Sequence, residues 1–157
     1  MQNSNSHTSP IVAIAEIKGS PLYPDINGTV IFKKKNNGIL ITAEILGLPY
    51  KNGKCNNEIF AFHIHSGISC TGNIRDPFAD AGTHYNPNNC WHPNHAGDLP
   101  PLFGNNGYAY LSTYTNRFTI DEIIGKVVVI HDRLDDFTTQ PSGNAGNKIA
   151  CGKIVPF

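Results

Sequence analysis

Histidines are concentrated in the middle of this chain of 157 residues. Five of the seven lie between positions 62 and 99 together with an aspartate, and a sixth follows in the segment V-V-V-I-H-D. Imidazoles and carboxylates are ligands that zinc accepts, and several imidazoles without a thiolate suit copper(II). The sequence therefore predicts metal binding. The candidate ligands are His63, His65, His84, His92, His95, Asp98 and His131.

Two of these histidines lie in a segment with the pattern of a β-strand. His63 and His65 stand two apart in I-F-A-F-H-I-H, and residues i and i+2 of a strand face the same way. His131 ends a β-branched run that is typical of another strand. The first pattern predicts that the imidazoles of His63 and His65 leave one face of a strand side by side, and the second places His131 at the end of another strand.

A second set of ligands follows at intervals of three residues. His92, His95 and Asp98 have a spacing that a helix would align, but Pro93 and Pro100 disfavour a helix in this segment. A ligand-bearing loop is the better interpretation. Seven ligands are too many for one ion, whereas two four-coordinate ions need eight positions. One imidazolate that bridges both ions would supply the eighth position.

Four of the candidates also have a plainer interpretation. His63 and His65 could be a surface-facing pair on an edge strand, and His84 could be an ordinary loop histidine. Asp98 could cap a turn after Gly97. Metal ligation is favoured because all seven candidates occur together in one chain.

The composition favours an all-β domain. Fifteen glycines and eleven prolines separate short β-branched runs, which is the pattern of strands joined by turns. About eight strands and two long functional loops, 66–102 and 132–147, predict a Greek-key β-sandwich or flattened barrel. Residues 118–124 are compatible with either a turn or the start of a helix. The predicted strands are 11–18, 29–34, 39–46, 59–65, 108–113, 126–131 and 148–155.

Charge and hydropathy exclude several classes of function. The formal net charge is zero, charged residues make up 15%, and no basic block indicates nucleic-acid binding. No apolar run approaches the length of a membrane span. Residues 1–10 are polar and are expected to be a disordered tail before one domain, 11–157. They lack the layout of a signal peptide, so a cytoplasmic location is the default expectation, or an extracytoplasmic one if a longer precursor is trimmed.

Five motifs together resemble those of copper–zinc superoxide dismutases. They are F-H-I-H, A-G-T-H-Y-N-P, H-A-G-D-L-P, V-V-I-H and G-N-A-G-N-K-I-A-C-G, in the order typical of that family, within a resemblance that spans residues 11 to 155. The resemblance implies copper and zinc as cofactors and superoxide as substrate, with His84 as the bridging ligand. It implies copper ligation by His63, His65, His84 and His131, and zinc ligation by His84, His92, His95 and Asp98.

The resemblance also implies roles for residues outside the ligand set. Asp135 matches the aspartate that links a copper histidine to a zinc histidine, although a solvated loop acid is the alternative. Cys70 and Cys151 match the intrasubunit disulfide of the family. Two further cysteines, Cys55 and Cys90, either form a second bridge, which is slightly favoured, or remain free thiols.

One position departs from the resemblance. Lys148 stands where the family usually carries an arginine. The catalytic residues are therefore expected to be the copper ligands and this lysine. Lysine keeps the positive charge but lacks the planar pair of donors of a guanidinium group. Activity is expected to persist at a reduced level. The loop 132–147 is also shorter than in the eukaryotic members of the family that the chain resembles, which favours a bacterial-type member. The main alternative is a non-catalytic protein that binds copper and zinc on the same scaffold; a structural module with zinc alone is a second. A monomer or a homodimer is expected.

Overall fold

A computed structural model describes residues 11–53, 55–56 and 58–157; the predicted disordered tail, 1–10, lies outside the described residues. The all-β prediction is confirmed, because helical structure in the described ranges is limited to a 3-10 helix (Ala79–Ala81) and α1 (Ile120–Ile123). The described strands are β1 (Ile11–Gly19), β2 (Asn27–Lys35), β3 (Gly38–Leu46), β4 (Ile59–Phe60), β5 (Phe62–His65), β6 (Leu102–Phe103), β7 (Ala109–Thr115), β8 (Val127–His131) and β9 (Lys148–Pro156).

Seven strands form one curled antiparallel sheet in the order β5-β8-β9-β1-β2-β3-β7. The β2–β3 hairpin closes with the pair Lys35 and Gly38, so its two-residue turn consists of Asn36 and Asn37. Asn36 has a φ of 52°, a conformation that asparagine tolerates better than most residues. At Gly38 a Cβ would lie 2.5 Å from the backbone oxygen of Thr115, so this glycine permits the close approach of β7.

Burial alternates along the central strands and becomes continuous where the histidines lie. In β3, Ile39, Ile41, Ala43 and Ile45 are buried while their neighbours are at least partly exposed. All residues of β5 and β8 are buried. Burial of each large apolar side chain contributes about 1.5–3 kcal/mol, so these strands form a stiff support for the polar residues that they carry.

The predicted strand 59–65 is divided at Ala61. Its first part, β4, leaves the main sheet and pairs with β6, whereas β5 pairs with β8. The Ala61 N–H donates to the Arg133 carbonyl, and the Ala61 carbonyl accepts from the His131 N–H. This pair of bonds joins the chain to the loop after β8, and the separate two-stranded sheet raises the strand count from about eight to nine in the described part.

The predicted long loop 66–102 is organised by a disulfide. Cys70 in the loop is bonded to Cys151 in β9, as the resemblance implied, and the two residues are 81 positions apart. Closure of a loop of this length contributes about 4 kcal/mol in the chain-entropy description. The disulfide therefore fixes to the sheet a segment that has little regular structure of its own.

The segment 118–124, which the sequence left undecided, contains the single turn of α1. The Glu122 carboxylate accepts hydrogen bonds from the N–H and hydroxyl of Thr119. This arrangement satisfies backbone donors at the helix start, as in a capping box.

Candidate metal centre

Two groups of possible ligands lie side by side in the interior. In each group one ligand atom per residue can be chosen so that all lie within 4.8 Å of one another, and all the residues are buried. His84 belongs to both groups. The first group is His63, His65, His84 and His131, and the second is His84, His92, His95 and Asp98.

Backbone pairing brings the two groups together. His63 in β5 forms an isolated bridge with Asp98, and His65 forms one with His84. The Ile64 N–H donates to the Gly97 carbonyl, at 2.9 Å between nitrogen and oxygen. The loop therefore runs antiparallel to β5, and residues that are 35 and 19 positions apart in the sequence are paired with each other along one short strand.

The outer nitrogens of the first group have defined partners. His63 Nε2 donates to Asp135 Oδ2 at 2.8 Å, His65 Nδ1 lies 2.9 Å from the Gly82 carbonyl, and His131 Nδ1 lies 3.4 Å from the Gly146 carbonyl. These contacts leave the opposite nitrogen of each ring for the interior of the group. The Nε2 atoms of His65 and His131 are 3.2 Å apart.

The second group surrounds the other side of His84. His84 Nδ1 lies 2.7 Å from Asp98 Oδ1 and 3.3 Å from His95 Nδ1. His92 Nδ1 is 3.0 Å from Asp98 Oδ2, while its Nε2 donates to Asp135 Oδ1 at 2.8 Å. The two rings of His63 and His84 are 4.0 Å apart between centroids, so His84 stands between the groups.

Three buried ring nitrogens among the described residues have no hydrogen-bond partner: His63 Nδ1, His84 Nε2 and His92 Nδ1. His92 Nδ1 is close to Asp98, yet it lacks a suitable hydrogen-bond geometry. A buried polar atom without a partner destabilises the folded protein by about 1–3 kcal/mol. Cations bound by these three nitrogens would remove that cost. The residues fit the metals, because an all-imidazole group suits copper(II) and three imidazoles with one carboxylate suit zinc.

Burial favours the neutral form of His63, His65 and His131, the form that can bind a cation. Desolvation lowers the pKa of His63, and it lowers that of His65 further, against the raising effect of the Gly82 carbonyl. The pKa of His131 falls to about 3, because of desolvation first and the neighbouring His63 second. Only the neutral ring offers a lone pair.

Asp135 connects the two groups. Burial alone would raise its pKa, but hydrogen bonds from His63, from the Phe137 N–H and from His92 outweigh burial and lower the pKa to about 2. Gly143 adopts a φ of +66° beside it, and a Cβ there would lie 2.0 Å from Asp135 Oδ1 and 2.6 Å from His92 Nε2. This glycine is therefore required for the close packing of the carboxylate.

Sequence reasoning missed two residues that position the loop. Gln140 accepts a hydrogen bond from the His92 N–H and donates its amide to the His92 carbonyl, at 3.0 and 2.7 Å. Arg117 Nη1 donates to the carbonyls of Pro93, His95 and Asp98, at 3.2, 3.2 and 3.5 Å. Both residues are far in sequence from the loop that they hold, and no local pattern distinguishes either of them from an ordinary surface residue.

Replacing Arg117 with methionine is expected to weaken zinc binding about tenfold, the lower end of the range for loss of an outer partner of a ligand. Methionine keeps much of the apolar stem but removes the donors to the three loop carbonyls. Competition with a zinc chelator measures the change. Arg75→Met, which alters an exposed arginine of the same chain, is the matched control. Equal zinc affinity in both variants and in the unaltered protein would contradict this role.

Lys148 lies opposite a ligand at the start of β9. It pairs with His131 across the β8–β9 ladder, where the register shifts between Ile130 and His131. It also lines a cavity of about 370 Å³ together with His65, His84 and His131. Its Nζ lies 2.5 Å from Asp76 Oδ2. A cation therefore stands in the wall of the cavity next to the first ligand group.

The slightly favoured second disulfide is not formed. Cys55 and Cys90 are free and exposed. The side chain of Asn86 bonds both the N–H and the carbonyl of Cys90, so hydrogen bonds fix this part of the loop without a second bridge. Neither cysteine belongs to either ligand group, which removes a thiolate from the candidate donors.

Similarity to known proteins covers most of the chain. A family model described as copper/zinc superoxide dismutase matches residues 26–154. The chain is 31% identical over 156 residues to a Cu-Zn superoxide dismutase of Legionella pneumophila, covering 91% of this chain and 90% of that protein. It is 32% identical over 172 residues to an extracellular Cu-Zn superoxide dismutase of Drosophila melanogaster, covering 96% and 88%. Among the described residues, no helix is both long and apolar enough to span a bilayer.

Proposed function

Because this chain belongs to the copper/zinc superoxide dismutase family, we propose a specific role for each residue of its two ligand groups. The protein is a superoxide dismutase, which converts two superoxide anions and two protons into oxygen and hydrogen peroxide. The observation that carries the assignment is the pair of four-membered groups that share His84. Copper is assigned to His63, His65, His84 and His131, and zinc to His84, His92, His95 and Asp98.

The division of metals follows the donor atoms. Three members of the all-histidine group line the cavity, against two of the other group, whose three imidazoles and one carboxylate supply the closed shell that zinc prefers. When bound, copper supplies one-electron exchange with superoxide, while zinc has a single stable valence and supplies charge and structure. Asp135 is assigned to hold His63 and His92 in one orientation through their outer nitrogens.

His84 is assigned two functions that use different nitrogens. Its Nδ1 faces Asp98 and His95, and its buried Nε2 has no hydrogen-bond partner among the described residues. A proton held at Nε2 would lie at the side of the first group, next to the cavity that admits substrate. This position allows His84 to deliver one of the two protons that the reaction consumes.

Lys148 is assigned to attract and hold the superoxide anion. Among the described residues that line this cavity, which include His65 and His131, Lys148 is the one lysine or arginine. An ammonium group acts as a point charge, while an arginine would add a planar pair of donors. The expected consequence is that attraction is kept and orientation is weakened.

Lys148→Arg is expected to raise turnover several-fold, because a guanidinium can orient a diatomic anion with two parallel donors. Pulse radiolysis, which generates superoxide directly, measures the rate. Lys148→Met removes the charge at similar length and is expected to lower the rate below that of the unaltered protein. An unchanged rate in the arginine variant would show that orientation by this residue does not limit turnover.

Metal content and superoxide consumption on one sample test the whole assignment. One copper and one zinc per chain, a visible copper(II) band that reductant bleaches, and rapid turnover are expected. Full loading without turnover would instead support the alternative of a protein that stores or delivers metal. Zinc without copper would overturn the roles given to His63, His65 and His131.

The remaining partners are also proposals. We assign superoxide as the substrate and propose that the protein binds neither nucleic acid nor a membrane, since the net charge is zero, no basic block is present and no apolar run reaches the length of a membrane span. Residues 11–157 are proposed to form one domain that acts as a monomer or a homodimer. Sedimentation analysis at several protein concentrations decides between these two states.

A further inference from the structure

The cation beside the ligand groups already has an anionic partner in this protein. Lys148 Nζ contacts Asp76 Oδ2, and the lysine side chain is 17% exposed while that of the aspartate is 38% exposed. Asp76 belongs to the loop between β5 and β6, 72 positions before the lysine. A carboxylate at this contact reduces the positive potential that Lys148 presents to the cavity.

Asp76 is held in place independently of the lysine. Its Oδ1 accepts the Phe78 N–H at 3.0 Å, which leaves Oδ2 for Lys148. The Asp76 carbonyl accepts the N–H groups of Asn73 and Ala79. The turn is also fastened to β9 by the disulfide to Cys151, three positions beyond Lys148. The carboxylate is therefore presented to the lysine by a preformed turn.

Lys148 lines two cavities. One is the cavity of about 370 Å³ that contains His65, His84 and His131. The other, of about 330 Å³, is also lined by Arg75, Asp76 and Asn147. The hydrogen bond to Asp76 partly neutralises the ammonium, so a small anion in the first cavity meets a cation of reduced charge.

We propose that Asp76 is a positioning residue that holds Lys148 at the wall of the substrate cavity and competes with substrate anions for its charge. This inference rests on the proposed role of Lys148. The two effects oppose each other, because the contact orders a flexible side chain but also neutralises it. The charge effect is the larger for an incoming anion, because the Lys148 side chain is only 17% exposed and so has little conformational freedom left to lose.

Asp76→Asn tests the proposal with little change of shape, since the amide oxygen can still accept the Phe78 N–H. Azide, a linear monoanion, serves as the probe, and its dissociation constant is obtained from the change it causes in the optical spectrum of the copper- and zinc-loaded protein. We expect azide to bind about threefold more tightly. The dependence of the superoxide rate on ionic strength is expected to become steeper, because the uncovered cation attracts anions over a longer range.

Asp80→Asn is the matched control, because it removes the same charge from an exposed residue of the same loop. It is expected to leave azide binding unchanged. The gain in Asp76→Asn is expected to be largely lost when Lys148→Met is added. If Asp76→Asn does not fold, Asp76→Ser serves in its place, because a serine hydroxyl can also accept the Phe78 N–H.

The outcomes separate this inference from the function on which it rests. Azide binding that is unchanged or weaker in Asp76→Asn, while the unaltered protein binds both metals and azide, would overturn the competing role of Asp76 alone. A gain that persists fully without the Lys148 ammonium would overturn it as well. Failure of the unaltered protein to bind copper would instead overturn the proposed metal site.

Discussion

The metal-free protein is expected to lose several kcal/mol of its unfolding free energy between pH 7 and pH 4. The cause is the burial of histidines in the two ligand groups, which lowers their pKa in the folded protein. In the unfolded chain a histidine takes up a proton near pH 6.5, whereas the pKa of folded His131 is about 3 and that of His65 is also well below its usual range. The unfolded state therefore binds more protons than the folded state throughout this window.

The sign and size follow from linkage. Stability falls with falling pH wherever the unfolded state binds more protons, by up to about 1.4 kcal/mol per pH unit for each such histidine. The stability is fully present above pH 6.5 and is lost progressively towards pH 3. Asp135 acts at more acidic pH, because its folded pKa is about 2 and its stabilising effect is lost only as pH falls from about 4 to 2.

Urea unfolding of chelator-treated protein at pH 7, 6, 5 and 4 measures the effect. His131→Gln is the matched control, since it replaces one titrating ring by a neutral polar side chain and should flatten the slope by up to about 1.4 kcal/mol per pH unit. A stability that does not change between pH 7 and pH 4 would show that the rings are protonated or hydrated in the folded metal-free protein.

The parts of this centre that the sequence predicts are those that follow from local periodicity or from ordered motifs. Alternation in β5 indicates that His63 and His65 leave one face, and the structure places both in the same ligand group. The bridging position of His84 does not follow from spacing alone. It required the motif order, because antiparallel pairing of a loop with β5 leaves no periodic trace in the sequence.

The contacts that the sequence did not predict join residues far apart in the chain. Arg117 reaches three carbonyls of the ligand loop through one nitrogen, and backbone carbonyls are the same in every sequence. The division of the predicted strand at Ala61 has a similar cause, since a two-residue pairing such as β4 with β6 is too short to show alternation. The contact of Asp76 with Lys148 forms in a loop that a disulfide joins to β9, and no local sequence pattern predicts it.

Replacing His84 with glutamine is expected to weaken both metal sites at once. The side chain is the one described residue shared by the two ligand groups, with Nδ1 toward Asp98 and Nε2 on the other side. Glutamine is polar but cannot place two nitrogen ligands on opposite edges of a ring. Loss of a hydrogen-bond partner of a ligand weakens metal binding by up to about 100-fold. Loss of a ligand itself should cost more, so the affinity for each metal should fall by more than about 100-fold.

His95→Gln is the matched control, because His95 belongs to the second group alone. Its zinc affinity should fall while its copper affinity changes little, as measured by competition with chelators and by the visible copper band. Superoxide turnover should be nearly abolished in His84→Gln and retained in part in His95→Gln. If copper binds His84→Gln as tightly as the unaltered protein, Nε2 of His84 is not a copper ligand. The two metal sites would then be connected only through Asp135, which is hydrogen-bonded to one histidine of each group, and would not share a ligand.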